Sequence, residues 1–320
     1  MTEYFSGYWD DQGRNQIIDS TVMTIGTFDG IHRGHRKIIH KICNRARAIG
    51  KKSLLVTFRP HPLSILSPDK APEMLTTYEE KKEILAGCGI DYVAFLPFNS
   101  DLSIYDPRRF VKDFLVDRFR VSELIVGYDH RFGKGGSGDA HLLEKLGKEM
   151  NFSVEVIEPM LSGGQPISSS HVRKALSSGD VRSANDDLGR SYSFVGEVVA
   201  GNKRGRELGF PTANIRVLDK HNEMKLIPLE GIYAVKARVD QDEVIAALHI
   251  GPRPTFGDLD KMLELYILDF SRDIYKKKVK VEFVEYLRGI LSFQSTEGLI
   301  AQMERDVEKT RRIFEENVST

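Results

Sequence analysis

The sequence predicts an α/β fold in two parts: an N-terminal doubly wound parallel sheet, then a mostly antiparallel β-barrel closed by a C-terminal helix. Between about residues 20 and 180 apolar strand-length runs alternate with helical patterns, which is the signature of parallel strands joined by crossover helices. From about residue 190 the texture changes to successive extended segments. The last observation is one apolar helical face near the end, carrying Leu299, Ile300, Met303, Val307, Thr310, Ile313 and Phe314. A chain of 320 residues suits two domains, each able to bury a core. The expected division is 1–184 and 185–320.

The elements follow in order. Val22, Met23, Thr24 and Ile25 form a short buried strand, and Ile38, Ile39, Ile42, Ala46 and Ile49 then recur at helical spacing. Strands are expected over 53–58, 92–96, 124–126 and 154–157, with helices over 78–87, 107–119 and 142–150. A polar helix and turn over 179–188 leads into extended segments at 193–200, 213–217, 231–239, 244–250, 263–270 and 279–287. Ligands of doubly wound sheets bind beyond the carboxyl ends of the strands. Three segments rich in turn residues fall there, at 26–35, 57–62 and 127–133.

Composition excludes several classes. Lys plus Arg equals Asp plus Glu, 46 against 46, so no global basic field recruits nucleic acid or a membrane surface. Cys43 and Cys88 lack metal-ligand spacing and form no disulfide framework. No stretch approaches a membrane span, and Glu3, Asp10 and Asp11 do not suit a secretory signal. The expectation is a cytoplasmic enzyme acting on small molecules, with its oligomeric state open.

Gly26-Thr27-Phe28-Asp29-Gly30-Ile31-His32-Arg33-Gly34-His35 sits at a strand-to-helix turn. The first amides of a helix lack internal partners and carry the positive end of its dipole, so they attract phosphate. Gly26, Gly30 and Gly34 let a ligand approach. His32 and His35, three apart, share one side of the helix start and can donate to phosphate oxygens as charge shifts in a transition state. The decamer resembles the HxGH signature of the nucleotidylyltransferase superfamily, in the Gly-x-Phe-Asp-Gly form of small-cofactor adenylyltransferases. That resemblance implies a Rossmann-like fold, catalytic roles for His32 and His35, and ATP or phosphate contacts for Gly26, Phe28, Asp29, Gly30 and Gly34.

Ile167-Ser168-Ser169-Ser170-His171-Val172-Arg173 precedes a short helix, where serines cap free amides and Arg173 can grip phosphate bidentately. It is similar to the ISSTxxR motif of the same superfamily, with Ser170 in place of threonine. Ser168, Ser169 and Ser170 are then triphosphate contacts, and Arg173 a catalytic one. Thr57-Phe58-Arg59-Pro60-His61-Pro62 and Gly127-Tyr128-Asp129-His130-Arg131-Phe132-Gly133 resemble further blocks of the bifunctional riboflavin kinase/FMN adenylyltransferase family. They imply nucleotide or flavin contacts at His61 and Asp129.

Gly201-Asn202-Lys203-Arg204-Gly205-Arg206-Glu207-Leu208-Gly209-Phe210-Pro211-Thr212-Ala213-Asn214 joins glycines and cations in a phosphate-covering loop. Pro211 then starts a strand on which Thr212 and Asn214 share a face. Their hydroxyl and amide oxygens suit a hard cation such as Mg²⁺, completed by water and nucleotide phosphates. The block resembles the GxxxGxxLGFPTAN signature of riboflavin kinases, which implies ATP contacts at Lys203, Gly205, Gly209 and Pro211. Leu263, Leu265 and Ile267 form one apolar face, so Glu264 projects from the other. By resemblance Glu264 is the base that accepts the ribityl hydroxyl proton, and Arg288 is a flavin contact. Two positions depart from the family: Ile290 stands where glutamate is usual, and His249 where asparagine is frequent.

The resemblance implies phosphorylation of riboflavin to FMN by ATP, then adenylylation of FMN to FAD with release of pyrophosphate, both requiring Mg²⁺. The competing readings are another small-molecule adenylyltransferase, or a flavin- or nucleotide-binding regulator with one inactive site.

Overall fold

The computed structural model describes residues 1–6, 19–201, 209–219, 221, 223–252 and 261–318. It divides into two compact units, Met1–Ser168 and Ser169–Thr320. The first contains strands β1 (Glu3–Ser6), β2 (Thr21–Ile25), β3 (Lys52–Arg59), β4 (Tyr92–Pro97), β5 (Val121–Gly127) and β6 (Ser153–Ile157). They form one sheet in the order β1-β4-β3-β2-β5-β6, with every pairing parallel. Helices α1 (Arg33–Ala48), α2 (Pro62–Leu66), α3 (Tyr78–Ala86), α4 (Ser100–Ser103), α5 (Pro107–Phe110) and α6 (Ala140–Met150) lie between the strands, and a small hairpin pairs β7 (Leu161–Ser162) with β8 (Gln165–Pro166).

A parallel sheet needs cover on both faces, because its strands are buried on both. Every residue of β2 is buried. Val22 packs in one core with Ile38, Ile39 and Ile42 of α1, and Met23 in another with Phe110, Phe114 and Leu143. The expected doubly wound sheet is therefore present. β1 is an element that the sequence reading did not anticipate. It is a short edge strand on β4 whose Tyr4 and Phe5 face opposite cores.

The helix expected over 107–119 is present as α5 running without a break into a π-helical segment, Val111–Arg118. The amide of Phe119 bonds to the carbonyl of Phe114, five residues back, at 2.9 Å. That wider winding turns both rings toward one core.

The second unit opens with α7 (Ser169–Ser177) and α8 (Val181–Leu188), continues through β9 (Ser193–Val199), β10 (Ala213–Val217), β11 (Gly231–Val239), β12 (Asp242–Pro252), β13 (Lys261–Ile267) and β14 (Lys278–Arg288), and ends with α9 (Thr296–Val318). The six strands close into an antiparallel barrel in the order β10-β13-β12-β11-β14-β9, with β9 returning to β10. Alternate residues fill it: on β13, Leu263, Leu265 and Ile267 are buried while Glu264 and Tyr266 are not. Gly196 of β9 is required by close approach, since a Cβ there would lie 2.2 Å from the Ile215 side chain.

Ile313 and Phe314 of α9 pack on Ala234 and Leu287 outside the barrel. Arg288, expected at the flavin, takes part in this junction. Its Nε bonds to both oxygens of Asp306 at 3.0 and 3.1 Å, Nη2 to Oδ2 at 2.6 Å, and Nη1 to the Gly289 carbonyl at 2.9 Å. Both side chains are largely buried, 19% and 10% exposed, so the guanidinium fastens α9. Asp306→Ala leaves this cation without its carboxylate, and we expect a loss of about 3 kcal/mol. Urea unfolding of the variant measures it, and an unchanged midpoint would contradict the assignment.

Candidate active sites

In the first unit the chain runs from β2 outward to β4, then returns to β5 on the other side of β2. This is the switch point at which open α/β sheets bind ligands. The decamer leaves β2 here, and Gly127 ends β5. A Cβ on Gly127 would lie 3.2 Å from an Asp129 carboxylate oxygen and 3.9 Å from Ile38 of α1, so the end of β5 lies against the helix that the decamer starts.

The turn itself is strained. Phe28 and Ile31 have φ of +45° and +43°, which is unfavourable for side chains with a Cβ and most of all for a β-branched one. Burial and hydrogen bonds hold it. Phe28 and Ile31 are 3% and 0% exposed, and Asp29 is 1% exposed. Asp29 Oδ2 accepts from the Leu75 amide at 3.0 Å, and Oδ1 accepts from the Thr76 amide at 3.1 Å and its hydroxyl at 3.2 Å. Thr76 Oγ1 in turn accepts from the Gly30 amide at 3.2 Å. Asp29 was expected to touch ATP. Its carboxylate points inward and holds the turn. Phe28, expected beside it, backs His35 at 4.8 Å between ring centroids.

His32 caps α1: its Nδ1 accepts from the His35 amide at 3.3 Å. An accepting Nδ1 leaves the ring proton of the neutral form on Nε2. The His32 and His35 rings stack at 3.6 Å and 20°, so the expected pairing on one side of the helix start is present. A Cβ on Gly34 would meet the His32 ring at 3.1 Å and the Ile167 carbonyl at 3.8 Å. Burial, then the charges of His32 and Lys81, pushes the His35 basicity well below the usual imidazole range. The ring is therefore neutral near neutral pH, which the sequence leaves undecided. His35 Nδ1 is buried with no hydrogen-bond partner among the described residues, and an unsatisfied buried polar atom calls for a ligand.

Lys81 is a residue that the sequence reading missed. It is 4% exposed, and its ammonium donates to the Thr27 carbonyl at 2.9 Å, which also accepts from Thr57 Oγ1 at 2.9 Å. The available signal was Thr77-x-x-Glu80, a capping box that the structure forms and that orients α3 so Lys81 turns inward.

His61 caps α2, its Nδ1 accepting from the Leu63 amide at 3.2 Å. Asp129 is exposed beside His130. Burial pushes His130 down to about 4. Ser168 closes the first unit, while Ser169, Ser170 and Arg173 begin the second on α7. On the same helix His171 Nδ1 lies 2.9 Å from Oδ2 of Asp187, which is 1% exposed.

In the second unit one row of residues crosses the outside of the barrel. Asn214 on β10 pairs with Glu264 on β13, and Glu264 with His249 on β12. Directly paired residues share a face. The expected projection of Glu264 away from the apolar face is therefore present, with Asn214 beside it. A Cβ on Gly201 would lie 1.8 Å from Asn214 Nδ2, so glycine makes the cradle in which this amide sits. Thr212 and Asn214 offer neutral hard oxygens, and among the described residues no cluster of three His, Cys, Asp or Glu could hold a metal. This donor set fits a cation that draws its remaining ligands from phosphate and water. Gly209 and Pro211 precede the strand; Lys203 and Gly205 lie outside the described residues.

Together the two folds and their sites define a class: a nucleotide-dependent transferase with two separate catalytic units. The FAD synthetase family model matches residues 14–171 and the riboflavin kinase family model residues 188–314. A bifunctional riboflavin kinase/FMN adenylyltransferase from Listeria monocytogenes is 38% identical over 92% of this chain and 92% of its own. One from Escherichia coli K12 is 36% identical over 92% and 93%. The chain belongs to the bifunctional riboflavin kinase/FMN adenylyltransferase family. A solved structure of a Streptococcus pneumoniae protein, described as a macrolide-efflux protein, superimposes with TM-score 0.85 at 26% identity, covering 97% of this chain and 99% of that one. No helix among the described residues is long and apolar enough to cross a membrane.

Two outcomes follow from this geometry. A histidine held neutral in the fold contributes stability above its unfolded value near 6.5 that is lost as pH falls through its folded value, about 4 for His130. His130→Gln should shrink the acid destabilisation over that window by up to about 3 kcal/mol, measured by urea titrations at several pH values. Gly201→Ala should displace the Asn214 amide and depress FMN formation strongly while FMN adenylylation continues. Equal loss of both activities would count against the cradle.

Proposed function

We infer that this chain phosphorylates riboflavin with ATP to give FMN, then transfers an adenylyl group from a second ATP to FMN, giving FAD and pyrophosphate. The observation that carries this reading is the succession of an FAD synthetase stretch and a riboflavin kinase stretch in one chain. The product of the second is the substrate of the first. We assign adenylylation to residues 1–184 and phosphorylation to 185–320, and place the enzyme in the cytoplasm, where ATP is available.

For adenylylation, the FMN phosphate attacks the α-phosphorus of ATP in line and pyrophosphate leaves. His32 donates from Nε2 and His35 stabilises the same charge, both from the rigid start of α1. The glycine turn and the free α1 amides bind phosphate. Ser168, Ser169, Ser170 and Arg173 are assigned to the polyphosphate, His61 and Asp129 to flavin. Asp29, Phe28 and Lys81 hold the turn.

For phosphorylation, Glu264 accepts the ribityl hydroxyl proton while the oxygen attacks the γ-phosphorus and ADP departs. We propose that Thr212 and Asn214 would hold Mg²⁺, which when bound neutralises charge on the transferring phosphoryl group. Lys203, Gly205, Gly209 and Pro211 are assigned to ATP.

Chromatography of riboflavin, FMN and FAD after incubation with Mg-ATP tests both activities. Glu264→Ala should stop FMN formation and leave FMN-to-FAD conversion intact. His32→Ala should do the reverse, slowing adenylylation by about 10²- to 10³-fold. Simultaneous collapse of both reactions in a folded single variant would rule out the two-site reading.

A further inference from the structure

His249 is a departure from the family pattern, and its surroundings give it a task. It stands on β12 directly across from Glu264 on β13, with both side chains 30% exposed. Its Nδ1 lies 3.5 Å from Glu264 Oε2. That is longer than a formed hydrogen bond and of the kind that tightens when substrate arrives. The ring orientation has its own cause. Gly251 lies two residues along the same strand and hence on the same face. A Cβ there would stand 2.9 Å from His249 Cε1 and Nε2 and 3.7 Å from Ile290 Cδ1. The imidazole thus rests its Cε1–Nε2 edge over the glycine, flanked by the apolar Ile290, with Nδ1 turned to the carboxylate. The two departures, His249 and Ile290, converge on one glycine.

We propose that His249 is a positioning residue of the phosphorylation site: its Nδ1–H donates to Glu264 Oε2 and fixes the carboxylate rotamer. Oε1 is then the oxygen that faces the ribityl hydroxyl. The proton of that hydroxyl passes to Oε1, the O–P bond to the γ-phosphorus forms, the bond to the ADP oxygen breaks, and ADP leaves with the electron pair. His249 keeps its own proton throughout. A carboxylate hydrogen-bonded on one oxygen loses little rotamer freedom on reaching the transition state, so the gain falls on turnover and not on substrate affinity. Any side chain that donates from the same place should serve, which separates donation from ring packing.

The inference rests on Glu264 as the base, and the experiment distinguishes the two. Riboflavin phosphorylation is measured in the full chain carrying His249→Phe, His249→Leu, His249→Asn or Glu264→Gln, with thermal unfolding of each. His249→Phe keeps a ring over Gly251 but has no donor; it should lower kcat about tenfold with KM for riboflavin and ATP unchanged. His249→Leu should match it, and His249→Asn, whose amide donates, should recover most of the turnover. If His249→Phe retains full kcat while Glu264→Gln is inactive, positioning is overturned and the base survives. Asn falling as far as Phe also overturns it, since donation would then not be the property that matters. Full FMN formation by Glu264→Gln overturns the base and this inference with it. Should His249→Phe fail to fold, the comparison of Leu with Asn decides on the same terms.

Discussion

The first unit depends on a single buried carboxylate. Asp29 stands in a turn where Phe28 and Ile31 are forced to positive φ, a conformation that the chain would abandon if left to itself. The hydrogen bonds from residues 75 and 76, with burial of the two strained side chains, keep it there. What the strain secures is direction. α1 begins at the carboxyl end of β2 with His32 capping it and the His32 and His35 rings stacked together.

Electrostatics at this helix start are arranged around the neutrality of His35. Lys81 is buried beside Thr27 and adds its charge to the burial that lowers the basicity of His35. The neutral His35 ring stacks on His32 at 3.6 Å without the repulsion that two imidazolium ions would meet, and it keeps one N–H able to donate. A lysine distant in sequence thus helps to set the charge state of a ring at the start of α1.

The second unit solves its problem by register. A closed antiparallel barrel fills its interior with alternate residues, which forces the others outward in rows across neighbouring strands. One such row aligns Asn214, Glu264 and His249, and glycines at 201 and 251 leave room beside its ends. Arg288 shows how a distant partner joins a strand position. It follows the same strand pattern, yet the docking of α9 and the carboxylate of Asp306 claim its guanidinium.

Much of this protein was legible in its sequence. Strand and helix periods are local, so the alternation that makes the sheet, the extended run that makes the barrel, and the outward projection of Glu264 could all be read from residue spacing; so could the pairing of His32 with His35 on one helix start. Tertiary structure decided what depends on distant partners. Whether Asp29 faces ligand or protein depends on residues 75 and 76. Whether Arg288 is available depends on Asp306, and the charge state of His35 depends on Lys81 and burial. The facing of His249 and Glu264 depends on strand register. A sequence specifies its periods one residue after another, but a side chain's partner is chosen by packing across the whole fold.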